Sequence, residues 1–389
     1  MERSPPTSPL RTPQLVMWML FMMSVPFYVA NSGVPQPGNV LIFIVAPLTL
    51  LRWNGRLSRD GRAAFVMLLA FTIWVFVVNY GWALVTDNWR ISDYVIYPIY
   101  YAYNLLVFLI ALVLYQRFAD MFLKATLDAL TIIVAFQVVA SFFLSSSGNI
   151  RGSMFFNNPN QLGYYALLVA CLMAVTQPRL KLGIVRTSAT LLGCVFLAFI
   201  SASRAAVGGI AILFVLMTFT NRKVLIASMV VVFATALFGG PIDRVFDATE
   251  QRLEYRKKED VLETRGYDRL WRYNQYLLIG AGEGDFDRFA DRPSETKEIH
   301  SSAATVLFSY GIVGATLFLM FVIRVVVGAS LREIVLVVPV LIYTITHQGL
   351  RFTMLWVLLG VFLAIKPRRR TVHAPRFART EFARVPGDL

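Results

Sequence analysis

The sequence predicts an all-α polytopic membrane protein with about 12 transmembrane helices and one large outer loop that carries short amphipathic helices. Composition is the first reason: 57% of the 389 residues are apolar and 15% charged, which would starve a soluble domain of polar surface. Hydropathy is the second, because apolar runs of the length needed to cross about 30 Å of hydrocarbon recur along the chain. The third is the placement of lysine and arginine, which collect in alternate connectors.

In order, the runs are 14–31, 38–52, 63–84, 94–115, 124–145, 161–177, 184–202, 205–220, 223–240, 301–323, 333–347 and 351–365. The first follows a basic start and ends in small residues, as a secretory signal does. Everything after it is apolar enough to span, so it reads as an uncleaved first helix. With the N-terminus inside, the inner connectors RWNGRLSRDGR, QRFADMFLK, QPRLKLGIVR, NRK and RVVVGASLR each hold at least two Lys or Arg. Twelve crossings return the basic tail, 366–389, to the cytoplasmic side. Spread in this way, the net charge of +14 argues against a nucleic-acid surface and for anionic membrane lipid. Cys171 and Cys194 fall inside apolar runs and read as packing residues. Asp128 lies one turn inside its helix, where snorkelling is easy.

One connector differs. Residues 241–300 separate a nine-span region (1–240) from a three-span region (301–365), and hold 14 Asp/Glu against 11 Lys/Arg. Long translocated segments escape the charge rule. Within it, RLWRYNQYLLIG places Leu270, Trp271, Tyr273, Leu277 and Leu278 mainly along one helical stripe, predicting an amphipathic helix on the outer leaflet.

The candidate site residues cluster at the outer face. Arg204 sits at a break between two apolar runs, where it either snorkels from a tight turn or faces a lipid-linked phosphate. The loop carries Arg265, Arg269 and Arg272, then Gly280, Gly282 and Gly284, whose N–H groups are candidates for an anion nest. The Asp285-Phe286-Asp287 triplet is assigned no metal. His300 closes the loop, either as a helix-start residue or as a general base. Upstream, RGSMFFNNPNQLGYYALL concentrates Arg151, Asn157, Asn158 and Asn160 between two spans. Asn160 is expected to cap a helix beginning at Gln161, and the other amides suit sugar hydroxyls, with Arg151 suited to phosphate. The run YVIYPIYYAY reads as an interfacial aromatic belt with a kink at Pro98.

In chain order, FFNNPNQLGYYALL, SASRAAVGG, RLWRYNQYLLIGAGEGDF and HSSAATVLFSYGIVG resemble the motifs of the O-antigen ligase and polymerase family over about residues 150–320. The chain departs from that pattern at Ser301, where the family carries asparagine after the histidine. The resemblance implies a glycosyltransferase at the periplasmic face of the bacterial inner membrane, acting without metal or cofactor on an undecaprenyl-pyrophosphate-linked glycan. By that resemblance Arg204, Arg265 and Arg269 face the pyrophosphate, His300 activates the acceptor, and Arg151, Asn157, Asn158, Asn160, Arg272, Gly280 and Gly282 bind substrate. Polymerisation of O-antigen or exopolysaccharide repeat units is the preferred activity, with a chain-length regulator and a flippase as pathway partners. Ligation to a lipid A core is the alternative, and a transporter of lipid-linked sugars is the rival of another class.

Overall fold

The computed structural model describes residues 12–30, 35–144, 152–217, 226, 229, 233, 265–289 and 298–366. Among these there are helices and no strands. In chain order they are α1 (Pro13–Ser24), α2 (Pro37–Leu50), α3 (Arg59–Val85), a π-helical turn (Ile91–Val95) running into α4 (Ile96–Phe118), α5 (Asp120–Leu144), α6 (Pro159–Leu180), α7 (Ile184–Ser201) and α8 (Arg204–Met217). Further along the chain come α9 (Arg269–Arg272), two 3₁₀ turns, α10 (Ser302–Val326), α11 (Leu331–Ile334), α12 (Val338–Thr346) and α13 (Thr353–Ile365).

Five of these segments are long and apolar enough to cross a membrane: 59–85, 91–118, 120–144, 184–201 and 302–326. The expectation of twelve full-length spans is thereby narrowed. α1, α2, α8 and α13 are apolar but have only 12, 14, 14 and 13 helical residues. The run 333–347 divides into α11 and the nine-residue α12. Run 223–240, apart from residues 226, 229 and 233, and the tail 367–389 lie outside the described residues.

α6 is buried on every side from Leu162 to Thr176, and α13 from Thr353 to Leu363. A helix that is apolar all round belongs inside a bundle rather than at its surface. α6 packs on α7, α8 and α13, and α13 packs on α4, while α10 lies along α3. Asp128 is held by Arg186 of α7 at 2.6 Å, an ion pair between helices where snorkelling was expected.

One helix is broken. Gly311 in α10 has φ 65° and ψ −173°, so the ladder opens there. The freed groups are met from elsewhere: the carbonyls of Phe308 and Ser309 accept from the N–H groups of Ala281 and Gly282, both at 2.9 Å, and Ile312 N–H donates to Leu277 at 2.8 Å. The indole of Trp74 donates to the Tyr310 carbonyl at 2.8 Å. The loop 276–284 is thus fastened into the gap of a broken helix, which positions everything it carries.

Candidate functional site

Pro98 has no N–H and leaves the Tyr94 carbonyl without its helical donor. Asn79 of α3, fully buried, supplies one from its amide at 2.9 Å. The same amide donates to the Glu283 carbonyl at 2.9 Å, and its oxygen accepts from the Glu283 N–H at 3.0 Å. A side chain thereby mimics a strand edge and clamps the loop backbone onto α3 and α4. Gly284 is required next to it: with φ +104°, a Cβ there would stand 1.4 Å from the Asp93 carbonyl oxygen.

The clamp delivers the Glu283 carboxylate, 1% exposed, into a polar network. Its Oε2 accepts from Tyr310 at 2.6 Å and Tyr101 at 3.1 Å. Its Oε1 accepts from Arg351 Nη2 at 2.5 Å, Arg351 Nε at 3.2 Å and Gln348 at 3.4 Å. Arg351, in the connector between α12 and α13, lies over the Tyr97 ring at 4.5 Å and turns Nη1 to Glu298 Oε1 at 2.9 Å. Burial would lower the basicity of this guanidinium, but Glu298 and Glu283 outweigh it and hold its pKa well above the usual value. Burial likewise pushes the Glu298 carboxyl up; the charge and hydrogen bond of Arg351, with His300 adding to them, bring it below the usual carboxylate range.

Arg351, Glu283, Glu298 and Gln348 line a cavity together with Arg269, Gly282, Thr305, Ser309 and three phenylalanines, Phe286, Phe289 and Phe308. It has about 10 Å³ of room, roughly that of one water molecule. Arg269 is 3% exposed and sits over the rings of Phe286 and Phe289, at 5.9 and 5.6 Å. Among the described residues no carboxylate lies within ion-pair distance of it; its neighbour Asp268 faces Arg272 at 3.3 Å. Desolvation therefore lowers the Arg269 pKa. A second, partly buried guanidinium, Arg288, is caged by Trp82, Tyr94 and Phe289 and donates to the Ala281 carbonyl at 2.6 Å. It secures the loop.

Of the residues singled out by sequence, Arg269 and Gly282 line the cavity. Arg265 is not among the lining residues: it donates to the Thr346 carbonyl at 3.0 Å and accepts the His300 N–H on its own carbonyl at 3.0 Å. His300 is exposed, two residues beyond Glu298. Arg204 is exposed at the first residue of α8 and is not among the lining residues, and Arg272 is exposed on Asp268. Arg151 lies outside the described residues.

Four readings are corrected. Gly280 and Gly282 form no anion nest, because four successive amides, Gly280 to Glu283, are spent on Tyr276, Phe308, Ser309 and Asn79. The cap of α6 is Asn158, whose oxygen accepts from Asn160 N–H at 2.8 Å, and the helix begins at Pro159, not Gln161. The Asn157 amide donates to the Ala30 carbonyl at 2.6 Å and the backbone carbonyl of Asn160 accepts from the Tyr343 hydroxyl at 3.1 Å, two bonds that fasten the α6 entry. The outer-leaflet helix is interrupted: α9 ends at Arg272, with Leu270, Tyr273 and Leu277 packed towards Phe289 and Phe308 while Trp271 and Leu278 are exposed. Nor is the tyrosine run a surface belt, since Tyr94, Tyr97 and Tyr101 are buried under the loop. At Ser301, the Oγ caps α10 by accepting from Ala304 N–H at 3.2 Å.

The sequence reading missed Glu283, Glu298, Gln348 and Arg351. The signal for Arg351 was present: like Arg204, it is an arginine at a break between two apolar runs. No known protein-family model matches this chain, and no curated protein matches it significantly in sequence.

Proposed function

We propose that the chain is a membrane glycosyltransferase that moves a glycan from a polyprenyl-pyrophosphate carrier to a sugar hydroxyl, as the resemblance to O-antigen ligases and polymerases implies. The observation that carries this reading is Arg269, a guanidinium 3% exposed with no carboxylate partner among the described residues, in a cavity that Arg351 also lines. Leaving a cation so placed unpaired costs several kcal/mol, which an incoming anion offsets. A guanidinium cannot shed its charge and grips phosphate oxygens in a planar fork. Placed at the leaving group, it stabilises the charge that grows on pyrophosphate as the anomeric C–O bond breaks, and it does so most in the transition state. Helices of membrane-crossing length account for a donor that arrives by its lipid.

The roles then divide. In this reading Arg269 and Arg351 engage the pyrophosphate once the cavity, which as it stands has room for about one water molecule, widens to admit it, and the acceptor approaches from the periplasmic side past Arg265 and His300. Repeat-unit polymerisation is the preferred activity, and ligation to a lipid A core shares its donor chemistry. The break of α10 favours a second reading, a transporter of lipid-linked sugars, because transport proteins place substrates at interrupted helices. Against it, the carbonyls freed at the interruption are taken by the N–H groups of Ala281 and Gly282 and are not open to a substrate.

The test is incubation of purified protein with undecaprenyl-pyrophosphate-linked repeat units, with and without lipid A core. A ladder of products identifies a polymerase, a core-linked band a ligase, and no transfer under either condition refutes the transferase.

A further inference from the structure

We infer that Glu298 is the group that takes the proton from the acceptor hydroxyl, an assignment that rests on the transferase reading above. Two carboxylates line the cavity, and their surroundings separate their roles. Glu283 is 1% exposed and both its oxygens are occupied, by Arg351 and Gln348 on one side and by Tyr101 and Tyr310 on the other. It has no lone pair to offer, and serves as a positioning residue for Arg351. Glu298 is half-buried, gives Oε1 alone to Arg351, and its Oε2 makes no hydrogen bond among the described residues. Its side chain cannot wander, because the guanidinium that holds it is itself fixed by Glu283 and by the Tyr97 ring. His300, two residues on, is exposed and outside the lining. The enclosed room among these residues is about 10 Å³, that of a single hydroxyl oxygen, so the pyrophosphate and the acceptor together require it to widen.

The step balances. The acceptor oxygen bonds to the anomeric carbon, the bond from that carbon to the pyrophosphate oxygen breaks with its electron pair leaving on the carrier, and the hydroxyl proton passes to Glu298 Oε2. As that proton neutralises Glu298, Arg351 loses one anionic partner and gains another in the leaving group. The arginine thus favours departure of the pyrophosphate; its pairing holds Glu298 as the carboxylate and opposes the proton's arrival, a cost that falls as the guanidinium shifts its contact to the leaving group.

The experiment uses the full chain, purified and reconstituted, with the polyprenyl-pyrophosphate oligosaccharide that accumulates in cells lacking the protein. Single-turnover transfer by Glu298→Ala is expected to fall by about 10²–10⁴-fold, the range for loss of a general base. Sodium formate, a carboxylate small enough for the vacated space, is expected to restore part of it; His300→Asn loses less and gains nothing from formate. If the alanine variant does not fold, the isosteric Glu298→Gln must show the same loss, with the acid limb of the pH–rate profile gone. The assignment is overturned if Glu298→Gln transfers at the wild-type rate, if formate fails to rescue a folded Glu298→Ala, or if His300→Ala is the inactive variant and imidazole revives it. Wild-type protein that transfers nothing sinks the transferase reading itself, a result separate from any of these.

Discussion

Replacing Glu283 with alanine tests whether the buried network holds the site together. The carboxylate is 1% exposed and accepts from Arg351 at 2.5 Å, Tyr310 at 2.6 Å and Tyr101 at 3.1 Å. Truncation leaves the Arg351 guanidinium with Glu298 as its remaining carboxylate and strands two tyrosine hydroxyls that burial keeps from bulk water. Breaking a buried pair by removing one partner costs about 3–5 kcal/mol, mostly the desolvation of the partner left behind. Arg351→Ala should cost a comparable amount. The double variant leaves neither Glu283 nor Arg351 buried without the other, though it still frees Glu298, so it should be less unstable than the sum of the two by about 1–3 kcal/mol. Equilibrium unfolding in mixed micelles, followed by tryptophan fluorescence, measures all three. Effects that add to within about 0.5 kcal/mol would mean the two side chains are energetically independent, and the argument for a preorganised site would fail.

Gly284→Ala must displace the Asp93 carbonyl, 1.4 Å from the new Cβ, from a backbone at φ +104°, and should cost more than about 4 kcal/mol in the same unfolding assay. Gly208→Ala, with nothing within 4 Å inside α8, should instead gain about 0.5–1 kcal/mol from helix propensity. Arg269→Met separates stability from binding: exchanging an unpaired buried cation for an apolar chain is expected to leave unfolding unchanged or raise stability, while the thermal shift that inorganic pyrophosphate gives the wild type disappears. For the pH dependence, the Glu298 carboxyl is depressed in the folded chain relative to its ordinary value of about 4.3. Its pairing with Arg351 therefore stabilises fully above that value and is lost as pH falls through the lower, folded one. Thermal melts from pH 7 to 3 should show the acid decline, with Glu298→Gln shallower below about pH 4.3; an identical slope in both proteins contradicts the assignment.

The helical class and most helix positions were legible because hydropathy is local: α3, the helix through α4, α5, α7 and α10 begin and end within a few residues of the apolar runs that announced them. Helix continuity was less legible. Nothing in the run 301–323 marks a break at Gly311, since glycine is common in membrane helices and this one matters only because Leu277, Ala281 and Gly282 reach it across the loop. The tyrosine run misled for the same reason. An aromatic belt and a buried hydroxyl platform share one composition, and only the docking of Glu283 against Tyr101 and Tyr310 distinguishes them.

Arg269 was singled out as one of three loop arginines ahead of a glycine-rich run, whereas Glu283 and Arg351 meet from 68 positions apart and neither stands out alone. Their pairing also explains why the glycines around Glu283 were misjudged. An anion nest needs free amides, and a loop that must pass under Asp93 and against Ser309 needs the same residue type for a different purpose, the absence of a Cβ. Which purpose applies depends on where the amides point, a tertiary property. In this chain they point inward, so the binding of any anion falls to guanidinium groups. Those groups differ in the one respect that matters for function: Arg351 is neutralised by Glu283 and Glu298, and Arg269 has no such partner among the described residues. A ligand anion entering the cavity therefore gains most at Arg269 and reaches Arg351 by competing with Glu298, the more exposed of its two carboxylates.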